Sequence, residues 1–375
     1  MNMSTVRCWF GLRVLFAISA GLIAFTQQAS AAEEKVLNIY NWSDYIAPDT
    51  IANFEKQTGI KVNYDNYDSN ETLHAKLILG YSGYDIVVPS ANWAELQIEG
   101  GIYQKLDKSK LPNWKHLSPD ILAKLAEVDP GNQYLVDWLW GYTTVGINVD
   151  KVKKALGDVP MPKNAWNLIF KPKYADKLKS CGISVLDSGY ELFPAALHAM
   201  NLPPFSNNKA DYEAAFTMLQ KIRPDIKIFS SSSYIDDLAN GSLCVAFGYS
   251  GDISQAAQRA IKSKNGQHIK VLIPENGGIA FFDSMAIPKD APHPENALKW
   301  INYILQPKVD ASLTNTVLYA NPNKDSLPYV TPEVADNKAI FLTPDQVNKL
   351  VTPKAVNNQT RRLMTRLYTR FKTGF

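Results

Sequence analysis

Strand and helix patterns alternate along most of this chain, and the alternation limits the folds that are open to it. The first strand begins at Val36 as V-L-N-I-Y, where only Asn38 interrupts the apolar run. Such a run is typical of a strand that is buried on both faces, as in a parallel sheet covered by helices. A helix with Ile51 and Phe54 on one face follows Pro48. Repetition of this unit predicts a mostly parallel sheet.

Two such series can be traced, and extended segments join them. The first has strands at 61–67 and 84–88 and helices around 71–79, anchored in part by Leu79, and 93–98. The second has strands at 182–186 and 243–247 and helices at 191–200, 212–222 and 253–261. Segments 139–149, 269–273 and 278–287 are extended, and 297–305 is helical. For 375 residues this predicts an α/β protein of two lobes, with a small-molecule cleft between them.

The first 31 residues have the pattern of an export signal. They contain Arg7 and Arg13, no acidic residue, an apolar run at 14–25 and the small-residue sequence Ala29-Ser30-Ala31 as a cleavage site. The apolar run is too short to span a membrane. We expect an exported, soluble mature protein without a lipid anchor, because no small-residue motif precedes Cys8.

The mature chain is expected to be almost neutral and to contain two cysteines. The whole chain has 39 basic and 36 acidic residues, and the signal removes two arginines and no acid. A neutral balance offers no electrostatic case for nucleic acid. Cys181 and Cys244 are expected to form one disulfide in an oxidising compartment. Closing a loop of 63 residues would stabilise the fold by ~4 kcal/mol.

The first strand runs directly into a polar and aromatic segment, N-W-S-D-Y. This order places Trp42, Ser43, Asp44 and Tyr45 at the carboxyl end of the strand. In open α/β sheets, ligands bind at that edge. The alternative is structural: Asp44 caps the following helix and Trp42 fills a core. From this segment alone the two interpretations stand equal.

The segment F-G-Y-S-G-D-I at 247–253 has the same character. Gly248 and Gly251 permit a tight turn after a strand, Tyr249 lies beside it, and Asp252 lies where the next helix begins. Capping alone is the competing role for Asp252, because Asp is a preferred N-cap worth about 1 kcal/mol. The segment differs from the hydrolase elbow G-x-S-x-G, since Asp252 occupies the last glycine position.

A third carboxylate, Asp283, lies inside the apolar run A-F-F-D-S-M beside Phe281. A strand would bury it, and a buried carboxylate is costly unless a cation or several donors meet it. No Lys or Arg is near in sequence, so a bound cation is a candidate partner. The segment D-S-G-Y-E, which ends at Glu191, again places acidic and aromatic residues together. A further aromatic residue, Tyr319, follows a helix.

Carboxylates therefore recur with aromatic residues at strand ends in both halves of the chain. Carboxylates bind ammonium groups by charge-assisted hydrogen bonds. Aromatic faces attract the same cations and also pack methylene groups. Several of each in a near-neutral protein suit an organic polycation.

Metal binding and catalysis are the competing interpretations of the acids. The acids lack the close repeats of a calcium loop, so we expect no metal and no cofactor. The histidines show no paired metal-ligand spacing; they are His74, His116, His198, His268 and His293. A glycosidase with two carboxylates stays open, although its acid needs a raised pKa and no residue in the sequence is marked as one. No P-loop, dinucleotide fingerprint or zinc-protease motif occurs.

The C-terminal segment 361–372 is amphipathic. Leu363, Leu367 and Phe371 share one face, with basic residues around them. We expect a docked helix with a solvated basic face, and the alternative is contact with a membrane surface.

Five motifs together resemble the periplasmic polyamine-binding proteins of bacterial ABC importers, and within them the putrescine-binding branch. In chain order these motifs are N-W-S-D-Y-I, D-I-V-V-P-S, G-Y-S-G-D, A-F-F-D and Y-A-N. The likeness extends over essentially the whole mature chain, including N-V-D-K-V-K, L-K-S-C-G, D-L-A-N-G-S-L-C and F-K-T-G. It implies a two-lobed periplasmic binding protein fold of type II. Each lobe would be a sheet flanked by helices, with two hinge crossings and no catalysis.

The resemblance also implies a ligand site built from three kinds of side chain. The expected aromatic box is Trp42, Phe281 and Tyr319, with Tyr249 in its wall. The expected ammonium partners are Asp44, Asp252 and Asp283, with Glu191 assisting. The remaining expected contacts are Ser43, Tyr45 and Ser90. Cys181 and Cys244 fall where the family has its disulfide.

At Tyr249 this chain departs from the family, which typically has Trp there. A smaller ring with a hydroxyl alters both the packing and the hydrogen bonding of that wall. Asp44 and Phe281 stand in place of the Glu and Trp of spermidine binders, and they favour a short diamine.

The implied function is capture of putrescine between two closing lobes and delivery to an inner-membrane permease, by a periplasmic protein expected to be a monomer. The expected domains are a signal peptide at 1–31, lobe 1 at 32–141 and 263–312, and lobe 2 at 142–262 and 313–375. The alternatives are a binder of spermidine, cadaverine or agmatine, and a protein that presents its ligand to a sensor. An extracellular hydrolase that uses carboxylates is the alternative from another class.

Overall fold

Two β-sheets form the framework of residues 33–374, the part of the chain that the structure, a computed structural model, describes. The expected signal peptide at 1–31 lies outside the described residues. The strands are β1 Val36–Trp42, β2 Lys61–Tyr67, β3 Ile86–Val87, β4 Val136–Asn148, β5 Ile183–Val185, β6 Ile226–Phe229, β7 Val245–Tyr249, β8 Ile269–Leu272 and β9 Ile279–Met285.

Helices connect the strands and cover the sheets. The α-helices are α1 Thr50–Thr58, α2 Asn70–Ile78, α3 Ala91–Glu99, α4 Pro119–Leu125, α5 Val149–Leu156, α6 Asn167–Phe170, α7 Pro172–Leu178, α8 Gly189–Ala199, α9 Lys209–Ile222, α10 Tyr234–Asn240, α11 Ser250–Ser263, α12 Pro294–Ile304, α13 Pro307–Val317, α14 Pro332–Ala335, α15 Pro344–Lys349 and α16 Asn358–Thr373. Among the described residues, no helix has the length and apolar character needed to cross a membrane.

The first sheet is parallel and has the strand order β2-β1-β3. Leu37 and Ile39 of β1 are almost fully buried, in agreement with the apolar run of this strand. Strand β3 is shorter than the predicted strand at 84–88. Leu79 is wrongly predicted as an anchor of α2, because it is 83% exposed. Leu73 and Leu77 hold the buried face, and a residue two positions beyond Leu77 faces away from it.

The second sheet has the order β6-β5-β7-β4-β8, and β9 also pairs with β4. Strand β5 is parallel to its neighbours, whereas β4 is antiparallel to β7, β8 and β9. The prediction of a mostly parallel sheet is therefore wrong around β4. The extended segments that form β8 and β9 pair with β4 in the antiparallel direction. The start of β4 pairs with β9, and its end pairs with β7 and β8.

Strand β4 connects two hydrophobic cores. Val136 and Trp138 pack in the first core, and Val145 and Ile147 pack in the second. The strand is thus a hinge crossing between two lobes, as the two-lobed fold requires. The lobe boundaries at 141, 262 and 312 stay a prediction. Strand β8 belongs to the second sheet, and Val317 packs in the first core.

The C-terminal helix α16 is docked, as the sequence predicts. Leu363, Leu367 and Phe371 are buried in the second core. Lys372 forms an ion pair with Asp187, whose carboxylate lies 2.7 Å from the lysine nitrogen. This acid of the D-S-G-Y-E segment therefore anchors the helix.

The predicted disulfide is confirmed, since Cys181 and Cys244 are bonded. Cys181 precedes β5 and Cys244 precedes β7, and these two strands are parallel neighbours. The bond therefore ties together the segments that lead into these two strands. It closes the predicted loop of 63 residues.

Candidate functional site

The cavity between the lobes has a volume of about 590 Å³, part of which is open to solvent. Every residue of the predicted site lines it: Trp42, Ser43, Asp44, Tyr45, Ser90, Glu191, Tyr249, Asp252, Phe281, Asp283 and Tyr319. Five further residues also line it and are missing from the prediction: Tyr67, Asp68, Ser231, Ser232 and Ile235. Tyr67 and Asp68 follow the same rule as the others, an aromatic and an acid at a strand end. That rule was sufficient to find them.

Asp283 lies on β9, in which every residue is buried. The hydroxyl of Ser90 donates a hydrogen bond to Asp283 Oδ1 at 2.6 Å, and the two residues pair across an antiparallel bridge. The Ser90 hydroxyl in turn accepts from the Asn70 side chain at 2.9 Å. Burial raises the pKa of Asp283 to about 7, although the Ser90 hydrogen bond opposes this rise. The carboxylate is therefore held in place without a basic partner among the described residues.

Asp252 is the third residue of α11 and does not cap it, because Tyr249 occupies the N-cap position. Asp252 instead accepts hydrogen bonds from two tyrosine hydroxyls, Tyr234 at 2.7 Å and Tyr319 at 2.5 Å. Burial raises the pKa of Asp252 to about 6, and these two hydrogen bonds oppose the rise. The capping alternative is thus excluded for Asp252, whose carboxylate is oriented by aromatic neighbours.

The two glycines of this segment serve close packing where β7 ends at Tyr249 and α11 begins at Ser250. Neither Gly248 nor Gly251 has a positive φ. A Cβ atom on Gly251 would lie 2.3 Å from Tyr319 Cε2, and one on Gly248 would lie 2.5 Å from Tyr234 Cε2. The missing side chains therefore admit the two rings that hold Asp252.

Aromatic rings form the walls of the cavity. Phe281 makes edge contacts with Tyr249 and Tyr319, with ring centroids 5.4 and 5.8 Å apart. Tyr319 also meets Tyr45 edge-on at 5.0 Å. On the first-lobe side, the Trp42 indole nitrogen donates to the Val88 carbonyl at 2.9 Å, which fixes the ring. These walls present apolar surface and π-electron density to a ligand.

Glu191 lies in the first turn of α8, near a second carboxylate from the other lobe. That neighbour is Glu71 of α2, whose Oε1 accepts a hydrogen bond from the Ser188 hydroxyl at 3.3 Å. Burial, followed by the charges of Glu71 and Asp283, raises the pKa of Glu191 to about 8. The sequence marks no acid with a raised pKa, but Glu191 is one in the structure. Burial, which the sequence does not show, raises it for three lining carboxylates.

Asp44 occupies the exposed end of the cavity. The residue has φ 53°, a left-handed conformation that Asp tolerates, and α1 is preceded by Asp49 at the N-cap position. Asp44 therefore does not cap α1. Its carboxylate lies 3.5 Å from a guanidinium nitrogen of Arg259. We call this end the mouth, defined by the exposed lining residues Ser43, Asp44, Asp68 and Ser232.

The charged residues that line the cavity are all acidic. Its acids are Asp44, Asp68, Glu191, Asp252 and Asp283, and the residues that line the cavity include no Lys, Arg or His. Among residues 33–374, no group of three or more His, Cys, Asp or Glu side chains is placed to hold a metal ion. Carboxylates interleaved with aromatic rings suit an organic cation that carries ammonium groups on an apolar chain.

Two lobes joined by hinge strands around a ligand-sized cavity define a solute-binding protein of the type II periplasmic class. The model of the bacterial extracellular solute-binding protein family matches residues 49–342, and the chain belongs to that family.

Individual relatives are similar over nearly the whole chain. The chain is 48% identical to the putrescine-binding periplasmic protein SpuD of Pseudomonas aeruginosa, covering 97% of this chain and 99% of that protein. It is 47% identical to the putrescine-binding periplasmic protein PotF of Escherichia coli, covering 95% and 96%. Among solved structures, a putative spermidine/putrescine ABC transporter from Listeria monocytogenes superposes with a TM-score of 0.80. The two are 30% identical, and the match covers 90% of this chain and 99% of that one.

Proposed function

We propose that this protein binds putrescine between its two lobes and delivers it to an ABC permease. The observation that carries the proposal is the lining of the cavity, which combines five carboxylates with aromatic walls and no basic residue. The names of the two relatives, SpuD and PotF, support the choice of putrescine among organic cations. The protein would act as a monomer whose lobes close on the ligand.

The expected ligand contacts follow from the placement of the acids. Asp283 and Asp252 lie close enough that the charge of Asp252 raises the pKa of Asp283. A dication would relieve this repulsion by placing one ammonium group at each carboxylate. The rings of Trp42, Phe281 and Tyr319 would pack the methylene chain between them.

We further propose that the protein is not an enzyme. Raised pKa values at Asp283 and Glu191 are compatible with acid catalysis, so the pKa values alone do not decide. The family of solute-binding proteins supports binding without chemistry. An extracellular hydrolase would consume its ligand, whereas a binding protein returns it unchanged.

Calorimetric titration with putrescine, cadaverine, agmatine and spermidine tests the proposal. We expect one site per chain, with putrescine bound most tightly. After overnight incubation with the protein, putrescine should be recovered unchanged by chromatography. Absence of binding to every amine in the series, or conversion of putrescine to a product, would contradict the proposed function.

The place of action is expected to be the periplasm, after removal of the signal at 1–31. Intact mass of the exported protein should correspond to a chain that begins at Ala32. It should also be lower by two hydrogens than the mass of the reduced form, because Cys181 and Cys244 are bonded. Two free thiols after denaturation, or an uncleaved N-terminus, would contradict this expectation.

The wall residue Tyr249 is expected to tune the choice among diamines. Its ring meets Phe281 edge-on at 5.4 Å, and Tyr249→Trp would enlarge this wall and remove a hydroxyl. An aromatic contact is worth roughly 0.5–2 kcal/mol beyond area burial, so affinities should change by a few- to about thirtyfold. The order of the diamines in the calorimetric series should change as well. An identical order and identical affinities would remove Tyr249 from the ligand contacts.

A further inference from the structure

Arg259 of α11 bridges two carboxylates near the mouth of the cavity. One guanidinium nitrogen lies 2.7 Å from Asp236 of α10, and another lies 3.5 Å from Asp44. Asp44 follows β1 of the first sheet, whereas α11 follows β7 of the second. The contact with Asp44 therefore crosses the cleft from one lobe to the other.

Arg259 places a fixed positive charge beside the ligand carboxylates. Its charge lowers the pKa of Asp252, whereas the charge of Asp44 raises it. Farther inside, Asp252 and Asp283 accept hydrogen bonds only from hydroxyl groups among the contacts of the described residues. The inner carboxylates thus stay available to a ligand, while Arg259 engages Asp44, one of the two lining acids at the mouth.

We propose that Arg259 is a specificity-determining residue that favours short diamines by occupying Asp44. This inference rests on the proposed function. A short diamine has two ammonium groups, which the inner carboxylates can meet. A longer polyamine brings a further ammonium group to the mouth, where Asp44 is already engaged and the guanidinium repels a like charge. Asp68 keeps the mouth negative enough to admit cations.

The test compares the affinities of putrescine and spermidine in the mature protein and in Arg259→Gln, by calorimetry. Loss of the contact between the lobes weakens both amines alike, so the ratio of their affinities isolates the selectivity. We expect the ratio to shift toward spermidine by about tenfold, the size of a like-charge interaction across a partly hydrated cleft. Removal of Asp44 as well, in Asp44→Asn with Arg259→Gln, should reduce that gain, because the repelling guanidinium is gone but no carboxylate is released.

Two control variants test whether the change in selectivity comes from the positive charge at position 259 itself. Arg259→Lys keeps the charge and should leave the ratio near that of the parent. Lys262→Gln removes the same charge from an exposed position of α11 where the lysine contacts Gln258, and it should not change the ratio. The inference is overturned if Arg259→Gln leaves the ratio unchanged or if Lys262→Gln shifts it equally. Failure of the parent to bind putrescine would instead overturn the proposed function.

Discussion

Asp283→Asn should weaken putrescine binding by roughly thirty- to several-thousand-fold. The carboxylate is 5% exposed, so its loss leaves an ammonium group of the ligand buried and unpaired, at about 2–5 kcal/mol. Asn keeps the size of the side chain, and the Ser90 hydroxyl can still donate to the amide oxygen. Calorimetry on the two purified proteins measures the effect. Asp252→Asn should weaken binding within the same range, because it also leaves an ammonium group unpaired, while the Tyr319 hydroxyl can still donate to the amide oxygen.

Thermal unfolding without ligand distinguishes a binding role from a structural one. Burial disfavours the charged form of Asp283, so Asp283→Asn should leave the melting temperature unchanged or raise it. Putrescine should raise the melting temperature of the parent by mass action and that of either variant far less. Both carboxylates would be structural if the variants bound putrescine within about threefold of the parent and lost several degrees of stability.

Putrescine affinity should fall by about a hundredfold or more between pH 8 and pH 5. Burial raises the pKa of Asp283 to about 7, so the ligand-free carboxyl group is protonated by about one hundred to one at pH 5. A dication favours the ionised form, and binding therefore releases protons. Glu191, with a pKa of about 8, and Asp252, with a pKa of about 6, act in the same direction. Affinity thus rises with pH over this range.

Proton release can be measured directly by titration in buffers of different ionisation enthalpy. At pH 6 the parent should release protons on binding, and Asp283→Asn should release fewer and show a shallower pH dependence. Affinity that is constant from pH 5 to pH 8 would mean that these carboxylates do not meet the ammonium groups. Loss of fold at low pH is controlled for by circular dichroism at each pH.

The sequence predicts long, periodic elements well and short ones poorly. Strand β2 and helix α16 have clear patterns, and the structure contains both. Strand β6 and helix α10 were not predicted. The first is four residues long and half-exposed, and the second spans only seven residues. Neither is long enough to display a period. The antiparallel pairing of β4 depends on contacts distant in sequence, which a local pattern does not encode.

The sequence predicts the site residues that lie at strand ends. It does not predict the contacts between site residues that are distant in sequence. An acid with an aromatic after a strand correctly identified the linings around Asp44 and Asp252, and would have identified Asp68. Asp283 was identified from its position inside an apolar strand, where a carboxylate needs a partner. The tyrosines that orient Asp252 come from α10 and from the segment after α13, so their hydrogen bonds are invisible in sequence. Arg259 is the tenth residue of an ordinary amphipathic helix, and only the fold brings it to Asp44.

A crystal structure of the protein grown with putrescine tests the central claim most directly. We expect putrescine in the cavity between the lobes, with one ammonium nitrogen about 2.7–3.0 Å from a carboxylate oxygen of Asp283 and the other at a similar distance from Asp252. The methylene chain should lie against the ring of Phe281. Putrescine bound elsewhere, or in the cavity without contact to either carboxylate, would contradict the account.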